Sequence, residues 1–289
     1  MTGPLLTHAV HETLLAARRA GSAAVECSLD LERTRTTVAI DVNHWSWQGR
    51  VYPYPDSCRE RTIHYWTGSA FEPLQRYTDA LLKLVPTAWG APTFEIDGIK
   101  MLPTAQVSPY ADAERKVGLI APSGKVVLDC CGGLGYFAAW CLQGGARQVL
   151  SYEKNPDVLW LRSLNPWSPP ADPRLTLAQG DIALEITALA DASVDAILHD
   201  PPRFGIAGEL YSQAFYDQLA RVIKRRGKLF SLHRYAEQAD FGARCAGGSE
   251  KTPAARRVCR GGERRRAAGR AAVGLPRLIP LWRCSSTWP

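Results

Sequence analysis

The stretch Val126-Val127-Leu128-Asp129-Cys130-Cys131-Gly132-Gly133-Leu134-Gly135 decides the fold of this chain. Three apolar residues lead into an aspartate, a glycine-rich turn follows, and the next residues, Tyr136-Phe137-Ala138-Ala139-Trp140, predict the beginning of a helix. A strand, a tight loop and a helix N-terminus in this order are typical of nucleotide-binding α/β folds, because glycines let a ligand approach the main chain closely. We therefore predict a nucleotide-like cofactor at this loop.

Two cofactors fit the loop at first. The spacing Gly133-x-Gly135-x-x-Ala138 matches the fingerprint of NAD-binding folds, although a glycine turn without any ligand is also compatible with it. Residues 148–153 predict a second strand that ends at Glu153, 18 positions beyond Gly135, where a carboxylate can accept hydrogen bonds from both ribose hydroxyls. Asp129 favours S-adenosylmethionine over NAD, because a carboxylate entering the loop repels a pyrophosphate and attracts an ammonium group and a sulfonium.

Two further carboxylates follow later strands. Asp181 comes after the short apolar strand 175–177 and is a candidate acceptor for an adenine amino group. Residues 194–199 predict a buried strand that runs into Asp200-Pro201-Pro202-Arg203-Phe204. Two prolines after an aspartate fix a rigid, extended corner, and open parallel sheets bind their ligands at the carboxyl ends of the strands. We expect the reacting group at this corner.

The loop, the acid, the Gly-Asp pair and the Asp-Pro-Pro corner, in this order, resemble the class I S-adenosylmethionine-dependent methyltransferases. More narrowly, the chain resembles an uncharacterised group of archaeal and bacterial predicted methyltransferases with an Asp-Pro-Pro-Arg-Phe motif, related in style to RNA methyltransferases. The shared strings surround Asp129, include Leu164-Asn165-Pro166-Trp167-Ser168, and run from His199 to Tyr211. The resemblance covers roughly residues 93–230 and implies a Rossmann-like sheet with S-adenosylmethionine as the cofactor.

The resemblance also implies the site residues. The cofactor-binding set is Asp129, Cys131, Gly133, Gly135, Glu153, Asp181 and Asp200. Cys131 departs from the pattern, since most of the superfamily has glycine there, so the turn requires that Cys131 keep a negative φ. We expect a packed thiol at Cys131 rather than a reactive one.

The candidate catalytic residues are Asp200, Pro201 and Arg203. In the related Asp-Pro-Pro-aromatic motif, the carboxylate and the first proline's carbonyl accept hydrogen bonds from a target amino group, and the aromatic ring stacks on the base. Arg203 stands in the place of that ring, and a guanidinium can stack or bind an anion. The resemblance implies N-methylation of an RNA base or a similar amine. An aminopropyl transferase of the spermidine-synthase type and a non-catalytic nucleic-acid-binding protein stay open as alternatives.

The chain divides into three parts by pattern. Residues 1–105 predict a small, mostly antiparallel β domain with a helix near its start, residues 106–232 the cofactor domain, and residues 233–289 an irregular tail rich in Arg, Ala and Gly. The β domain contains an aromatic and basic set that either stacks bases or fills a core, and the alternation favours the core. This set is Trp45, Trp47, Arg50, Tyr52, Tyr54, Arg59, Arg61, His64, Tyr65 and Trp66.

The tail carries the charge of the chain. Residues 231–289 hold 12 of the 35 basic residues but 4 of the 28 acidic ones, so the net charge of +7 arises there. A class I fold continues at this point with a helix and a two-stranded hairpin. The tail shows neither helical nor alternating apolar spacing, so we predict that the hairpin is missing. A basic tail for nucleic acid is one interpretation. We favour translation out of frame. A shift of the reading frame by one base from Leu232 permits codons for an amino-acid sequence with a turn and an amphipathic helix.

Composition also restricts the class of protein and its compartment. The 289 residues, 46% hydrophobic and 22% charged, are typical of a soluble globular protein. No apolar run of about 18 residues is present and the first residues do not form a secretory signal, so we expect neither a membrane span nor export. The eight cysteines include no Cys-x-x-Cys pair, which predicts no metal site and favours a reduced, cytoplasmic protein.

Overall fold

The glycine-rich stretch lies at the end of the central strand of an α/β sheet. The computed structural model describes residues 3–203 and 205–232 and the backbone of residues 278–279. The N-terminal region contains helix α1 (His8–Arg19) and the strands β1 (Leu5–Leu6), β2 (Ala24–Cys27), β3 (Thr36–Ile40), β4 (His44–Trp47), β5 (Arg50–Pro53), β6 (His64–Trp66), β7 (Phe71–Pro73), β8 (Gln75–Tyr77), β9 (Leu81–Val85), β10 (Thr93–Ile96) and β11 (Ile99–Lys100).

Helices and parallel strands alternate in the region that follows. It contains α2 (Pro109–Ile120), β12 (Val126–Asp129), α3 (Tyr136–Gln143), β13 (Gln148–Glu153), α4 (Pro156–Leu164), β14 (Leu175–Gln179), α5 (Ile182–Glu185), β15 (Val194–His199), α6 (Gln213–Val222), β16 (Ile223–Ser231) and β17 (Leu278–Ile279). Two short 3-10 helices, Ile186–Ala188 and Gly208–Tyr211, lie between these elements.

Strand β12 occupies the middle of a six-stranded sheet with the order β14-β13-β12-β15-β16-β17. The first five strands are parallel, and β17 pairs antiparallel with β16. All four residues of β12 are buried, as expected for a parallel strand covered on both faces. The predicted α/β class with a Rossmann-like sheet is therefore confirmed.

Three antiparallel sheets form the N-terminal region. Their orders are β1-β6-β7, β2-β3-β4-β5 and β11-β10-β9-β8. The Asp97-Gly98 pair predicts a two-residue hairpin turn, and it joins β10 to β11 with φ of 48° at Asp97 and 78° at Gly98, the positive values that such a turn requires. The smaller, mostly antiparallel β part of the predicted fold is thus confirmed, whereas the exact boundary near residue 105 stays a prediction.

Apolar spacing predicts a helix over residues 1–21, another over 210–224 and a strand from Gly227, and the structure gives each of them different limits. The helix predicted over 1–21 is shorter, because α1 begins at His8 after strand β1, with the Thr7 side chain accepting from the Val10 amide at 3.3 Å. The helix predicted over 210–224 ends at Val222, and β16 begins at Ile223 instead of Gly227. Ile223 pairs with Val194 of β15, so pairing within the sheet overrides the local helical spacing.

One apolar cluster connects the N-terminal sheets with the cofactor segment. In it the N-terminal side chains Leu31, Leu82 and Phe94 pack with Leu134 of the glycine-rich stretch and Leu161 of α4. The loop is therefore held from both sides by the same core. This packing brings N-terminal side chains such as Phe94 next to the glycine-rich stretch.

The aromatic set of the N-terminal region contributes to a core. Trp45 and Tyr52 are fully buried and their rings stack with centroids 4.6 Å apart. Trp66 contacts Tyr52 edge-on at 5.3 Å and is half-buried. The core interpretation is confirmed for Trp45 and Tyr52, which leaves neither ring accessible for stacking on a base.

The predictions for residues 233–289 lie outside the described residues, except that β17 is described as a strand antiparallel to β16. Among the described residues, no helix is both long and apolar enough to cross a bilayer.

We predict that Trp45→Ala lowers the free energy of unfolding by about 3–5 kcal/mol, because a fully buried indole leaves a large cavity. Urea denaturation followed by fluorescence measures this loss. Val51→Ala, on an exposed side chain of the neighbouring strand, changes the same quantity by about 0.5 kcal/mol or less. Equal losses in the two variants would contradict the core assignment.

Candidate functional site

The glycine loop connects the carboxyl end of β12 to the N-terminus of α3. Gly133 and Gly135 have φ of 48° and 82°, in the left-handed region that favours glycine. The Gly135 amide donates to the Gly132 carbonyl at 2.8 Å, and the Gly132 amide to the Tyr152 carbonyl of β13 at 2.7 Å. Cys131 does not adopt a positive φ, so the turn accepts cysteine there as the sequence required.

A buried arginine from α4 fills the space beside this loop. Arg162 is 4% exposed. A Cβ placed on Gly135 would lie 2.6 Å from Arg162 Cζ, and one on Gly132 would lie 3.1 Å from Arg162 Nη1. The guanidinium thus restricts position 135 to glycine, and Ser151 Oγ, 2.5 Å from a Cβ at position 132, restricts that position as well. Arg162 was missed from sequence, although its position four residues after the buried Val158 placed it on the inner face of α4.

Asp129 lies in the same buried cluster. Its Oδ2 accepts from Ser151 Oγ at 2.9 Å, and Arg162 Nη1 donates to that Ser151 Oγ at 3.3 Å. Burial raises the pKa of Asp129 to about 6, although Ser151 and Arg162 lower it. The carboxylate is 0% exposed, and its Oδ1 has no hydrogen-bond partner within the described residues. The structure gives Asp129 a role in holding the loop, and its contact with a cofactor ammonium stays a prediction.

Glu153 ties the end of β13 to the loop. Its Oε2 accepts from the Gly133 amide and its Oε1 from the Asn155 amide, both at 2.9 Å. Burial raises the pKa of Glu153, while these two amides and Arg162 oppose that rise. Since a carboxylate has about four acceptor positions, two remain for ligand hydroxyls. Binding of a ribose by Glu153 stays a prediction that this geometry permits.

Asp181 follows the neighbouring strand β14 and already has two partners. Its side chain accepts from the Ala183 amide at 3.0 Å, which caps α5, and its Oδ2 lies 2.7 Å from Lys154 Nζ. An adenine amino group would have to compete with the exposed Lys154 for this carboxylate. The adenine contact of Asp181 therefore stays a prediction.

Asp200 extends beyond the end of β15 and contacts a buried lysine. Its Oδ2 lies 2.6 Å from Lys116 Nζ on α2, which is also 2.7 Å from Asp112 Oδ2. Burial lowers the pKa of Lys116, but the two carboxylates outweigh burial and the pKa is raised. The Oδ1 of Asp200 is buried and has no hydrogen-bond partner among the residues the structure describes. Lys116 was missed from sequence, although it lies between the buried Ala113 and Val117.

The proline corner is fixed from two directions. Pro201 is buried, and the Pro202 carbonyl accepts from the Tyr211 hydroxyl at 2.7 Å. The Arg203 carbonyl accepts from the Ile206 amide at 2.8 Å, and the Arg203 side chain is exposed. Phe204, which the motif includes, lies outside the described residues. Catalytic roles for Pro201 and Arg203 stay predictions.

The structure brings most of the predicted residues to one edge of the sheet. Asp129 pairs with Leu198, so Asp200 emerges two residues beyond this pair on β15. Glu153 pairs with Gln179, and Asp181 follows Gln179 by two residues. Burial and nearby carboxylates raise the pKa of the Cys131 thiol well above its usual value, so it is not a thiolate at neutral pH. Among the described residues, no group of His, Cys, Asp and Glu is arranged to hold a metal ion.

Residues 110–222 match the family model of the FtsJ-like methyltransferases. This segment contains α2 to α6, and therefore Lys116, the glycine loop, Glu153, Asp181 and Asp200. An uncharacterised protein of Methanocaldococcus jannaschii is 43% identical over 150 residues, which are 51% of this chain and 51% of that relative. The chain thus spans about half the length of the curated relative that it matches.

Two solved structures are similar in fold. A spermidine synthase from Thermotoga maritima has a TM-score of 0.46 at 16% identity, over 61% of this chain and 64% of that one. An S-adenosylmethionine-dependent methyltransferase from Mesorhizobium loti has a TM-score of 0.32 at 19% identity, over 42% and 50%. At these values neither likeness favours methyl transfer over aminopropyl transfer.

The close approach of Arg162 to the loop leads to a stability prediction. Gly135→Ala and Gly145→Ala both place a Cβ at a positive φ, 82° and 76°, but the new Cβ meets Arg162 only at position 135. We expect Gly145→Ala to cost about 1–2 kcal/mol of unfolding free energy from strain, and Gly135→Ala roughly 2 kcal/mol more. Urea titration measures both. Equal costs would show that the guanidinium does not constrain the loop.

Asp129 leads to a prediction of pH dependence. Because its pKa is raised from the usual 3.8 to about 6, the folded state binds this proton more tightly than the unfolded state. Its contribution to stability is therefore fully present below about pH 4, and about 3 kcal/mol is lost as the pH rises to 6. Asp129→Asn should remove this loss from the pH profile of the unfolding free energy.

The control for this profile is Asp56→Asn, at an exposed carboxyl, which should follow the wild-type curve. The prediction concerns the difference in unfolding free energy between wild type and Asp129→Asn, measured from pH 4 to pH 7. A difference that stays constant, or that grows in favour of wild type as the pH rises, would contradict it.

Proposed function

We propose that this protein is an S-adenosylmethionine-dependent methyltransferase that methylates a nitrogen of an RNA base or a similar amine. The observation that carries the proposal is the position of Asp200. It extends from β15 at the same edge of the sheet as the glycine loop, with one carboxylate oxygen held by Lys116 at 2.6 Å and the other buried and unpartnered among the described residues. The match of residues 110–222 to the FtsJ-like methyltransferases supports this reading.

The residues at the edge fit the cofactor. Bound S-adenosylmethionine supplies a methyl group activated by its sulfonium. Positive φ at Gly133 and Gly135 gives the loop a tight turn that favours glycine, and Glu153, which accepts from the Gly133 amide, can also accept from ligand hydroxyls. Asp129 adds a buried negative charge beneath the loop, which attracts an ammonium and a sulfonium and repels a pyrophosphate.

Asp200 is suited to orient an acceptor. Its Oδ1 can accept a hydrogen bond from an amino group, and this bond directs the nitrogen lone pair at the methyl group. The carboxylate can then receive or relay the proton that the nitrogen loses. Lys116 fixes the carboxylate through the other oxygen, so the orientation of Asp200 does not depend on the substrate. Methyl transfer depends chiefly on such in-line positioning. Pro201 and Pro202 keep the corner rigid next to it.

The buried lysine favours a second candidate, methylation of a hydroxyl group. An ammonium next to the acceptor does not assist a neutral amine, but it stabilises the negative charge that develops on an oxygen nucleophile. Lys116 is 6% exposed, 2.6 Å from Asp200, and lies in surroundings where such an interaction is strong. A ribose hydroxyl of RNA is an acceptor of this kind.

The test is transfer of tritiated methyl from S-adenosylmethionine to fractionated RNA, protein and metabolites. We predict label in RNA, and a loss of about 100-fold or more with Asp200→Asn, because the acceptor loses its orienting carboxylate. Asp191→Asn, at a carboxylate that pairs with Arg221 on the surface, should keep wild-type activity. Digestion to nucleosides separates methylated bases from methylated ribose.

The other outcomes distinguish the alternatives. Label on ribose selects the hydroxyl acceptor, and label in the metabolite fraction selects a small amine. Transfer of an aminopropyl group from decarboxylated S-adenosylmethionine, without transfer of methyl, would select the spermidine-synthase type of reaction. RNA binding without transfer of either group would contradict the enzyme proposal and favour a nucleic-acid-binding protein.

A further inference from the structure

The Asn165-Pro166-Trp167-Ser168 segment has no part in the function proposed above, yet all its side-chain polar groups form hydrogen bonds. It follows α4, the helix that carries Arg162, and the Asn165 amide donates to the Arg162 carbonyl at 3.3 Å. The Asn165 Oδ1 accepts from the Trp167 amide at 3.1 Å, and the Asn165 carbonyl accepts from the Ser168 amide at 3.0 Å. Asn165 is 4% exposed. These bonds make the segment a rigid turn.

One side of this turn holds the glycine loop. Ser168 Oγ donates to the Leu134 carbonyl at 2.8 Å, and Asn165 Nδ2 donates to the Tyr136 hydroxyl at 3.2 Å. Leu134 lies between Gly133 and Gly135, which both have positive φ. Glycine backbones have wide freedom, so a loop with this sequence needs external hydrogen bonds to keep one conformation.

The other side of the turn holds the N-terminal region. Trp167 Nε1 donates to the Leu31 carbonyl at 2.9 Å, and Arg33 donates to the Pro166 carbonyl. At Gly90 a Cβ would lie 2.9 Å from the Leu31 carbonyl oxygen and 3.2 Å from Trp167 Cζ2. The packing at this junction therefore leaves no room for a side chain at position 90.

The two sides meet at Tyr136 and Phe94. The Tyr136 hydroxyl, which accepts from Asn165, donates to the Pro92 carbonyl at 2.8 Å. Phe94, two residues further along, lies against Gly133, with its Cε1 3.7 Å from the position of a Cβ there. The turn thus fixes the position of the glycine loop and, through Tyr136, the position of the segment that carries Phe94, whose ring covers the loop.

We propose that Asn165, Trp167 and Ser168 are positioning residues, which fix the glycine loop against the N-terminal β region in the conformation that accepts the cofactor. The proposal rests on the proposed function in that the ligand of the loop is taken to be S-adenosylmethionine. The cofactor site then depends on residues 31–94 as well as on the parallel sheet.

The experiment combines hydrogen exchange of the loop amides, without cofactor, with calorimetry of S-adenosylmethionine binding on the full chain. Ser168→Ala removes the bond to Leu134, and we expect the amides of residues 132–136 to exchange about tenfold faster and the affinity to fall about tenfold. Ser168→Thr keeps the hydroxyl and should retain both wild-type values. The matched control is Ser163→Ala, which removes an exposed bond to the Trp160 carbonyl and should change neither.

A second variant tests the connection to the N-terminal region. Trp167→Phe removes the donor to Leu31 without touching the loop directly, and it should speed exchange of the same loop amides. Its control is Trp89→Phe, which removes an exposed indole bond to the Thr104 carbonyl. Unchanged loop exchange in Trp167→Phe would overturn the connection between the N-terminal region and the loop.

The two readouts separate the clamp from the proposed function. If Ser168→Ala loosens the loop while wild type binds no S-adenosylmethionine, the clamp stands and the proposed function fails. If wild type binds the cofactor but Ser168→Ala changes neither exchange nor affinity, the clamp fails and the proposed function stands. Equal effects in Ser163→Ala and Ser168→Ala would overturn the specific role of Ser168.

Discussion

The rest of the site depends on the packing of the buried Arg162 guanidinium against the glycine loop. Burial lowers the pKa of Arg162, and the nearby charges of Asp129 and Glu153 partly offset that decrease. A buried charge without such partners is strongly destabilising. The same guanidinium occupies the space that a side chain at position 135 would need, and Ser151 Oγ occupies it at position 132, so the buried cluster restricts both positions to glycine.

A second buried ion cluster lies at the neighbouring strand. Lys116 pairs directly with Asp112 and Asp200, whereas Arg162 donates to Ser151 and acts on the Asp129 and Glu153 carboxylates through its charge. Both clusters lie at the carboxyl ends of central strands. The first cluster packs against the loop, and the second holds one oxygen of the Asp200 carboxylate, for which we propose the role of orienting an acceptor. Because each has a fixed cation, the two halves of the site keep their geometry without a ligand, which is the preorganisation that group transfer requires.

The sequence predicted the parts of this arrangement that are local. The strand, glycine turn and helix, the positive φ of an Asp-Gly hairpin and the acids after successive strands all follow from short patterns. Arg162 and Lys116 were missed, and the contact of Trp167 with Leu31 was not predicted. Lys116 and Asp200 are 84 positions apart, and Trp167 and Leu31 are 136 apart, so neither pairing follows from a short pattern. Asp129 was predicted at the right place, but its burial against Ser151 could not be deduced from one strand alone.

The central claim is the position of the bound cofactor at the glycine loop. A crystal structure of the full chain with S-adenosylmethionine tests this most directly. The account predicts the ribose at Glu153, the methionyl part over Gly133 and Gly135, the methyl group directed at Asp200, and Arg162 unmoved beside the loop. A cofactor bound elsewhere, or a glycine loop that stays empty at saturating S-adenosylmethionine, would contradict it.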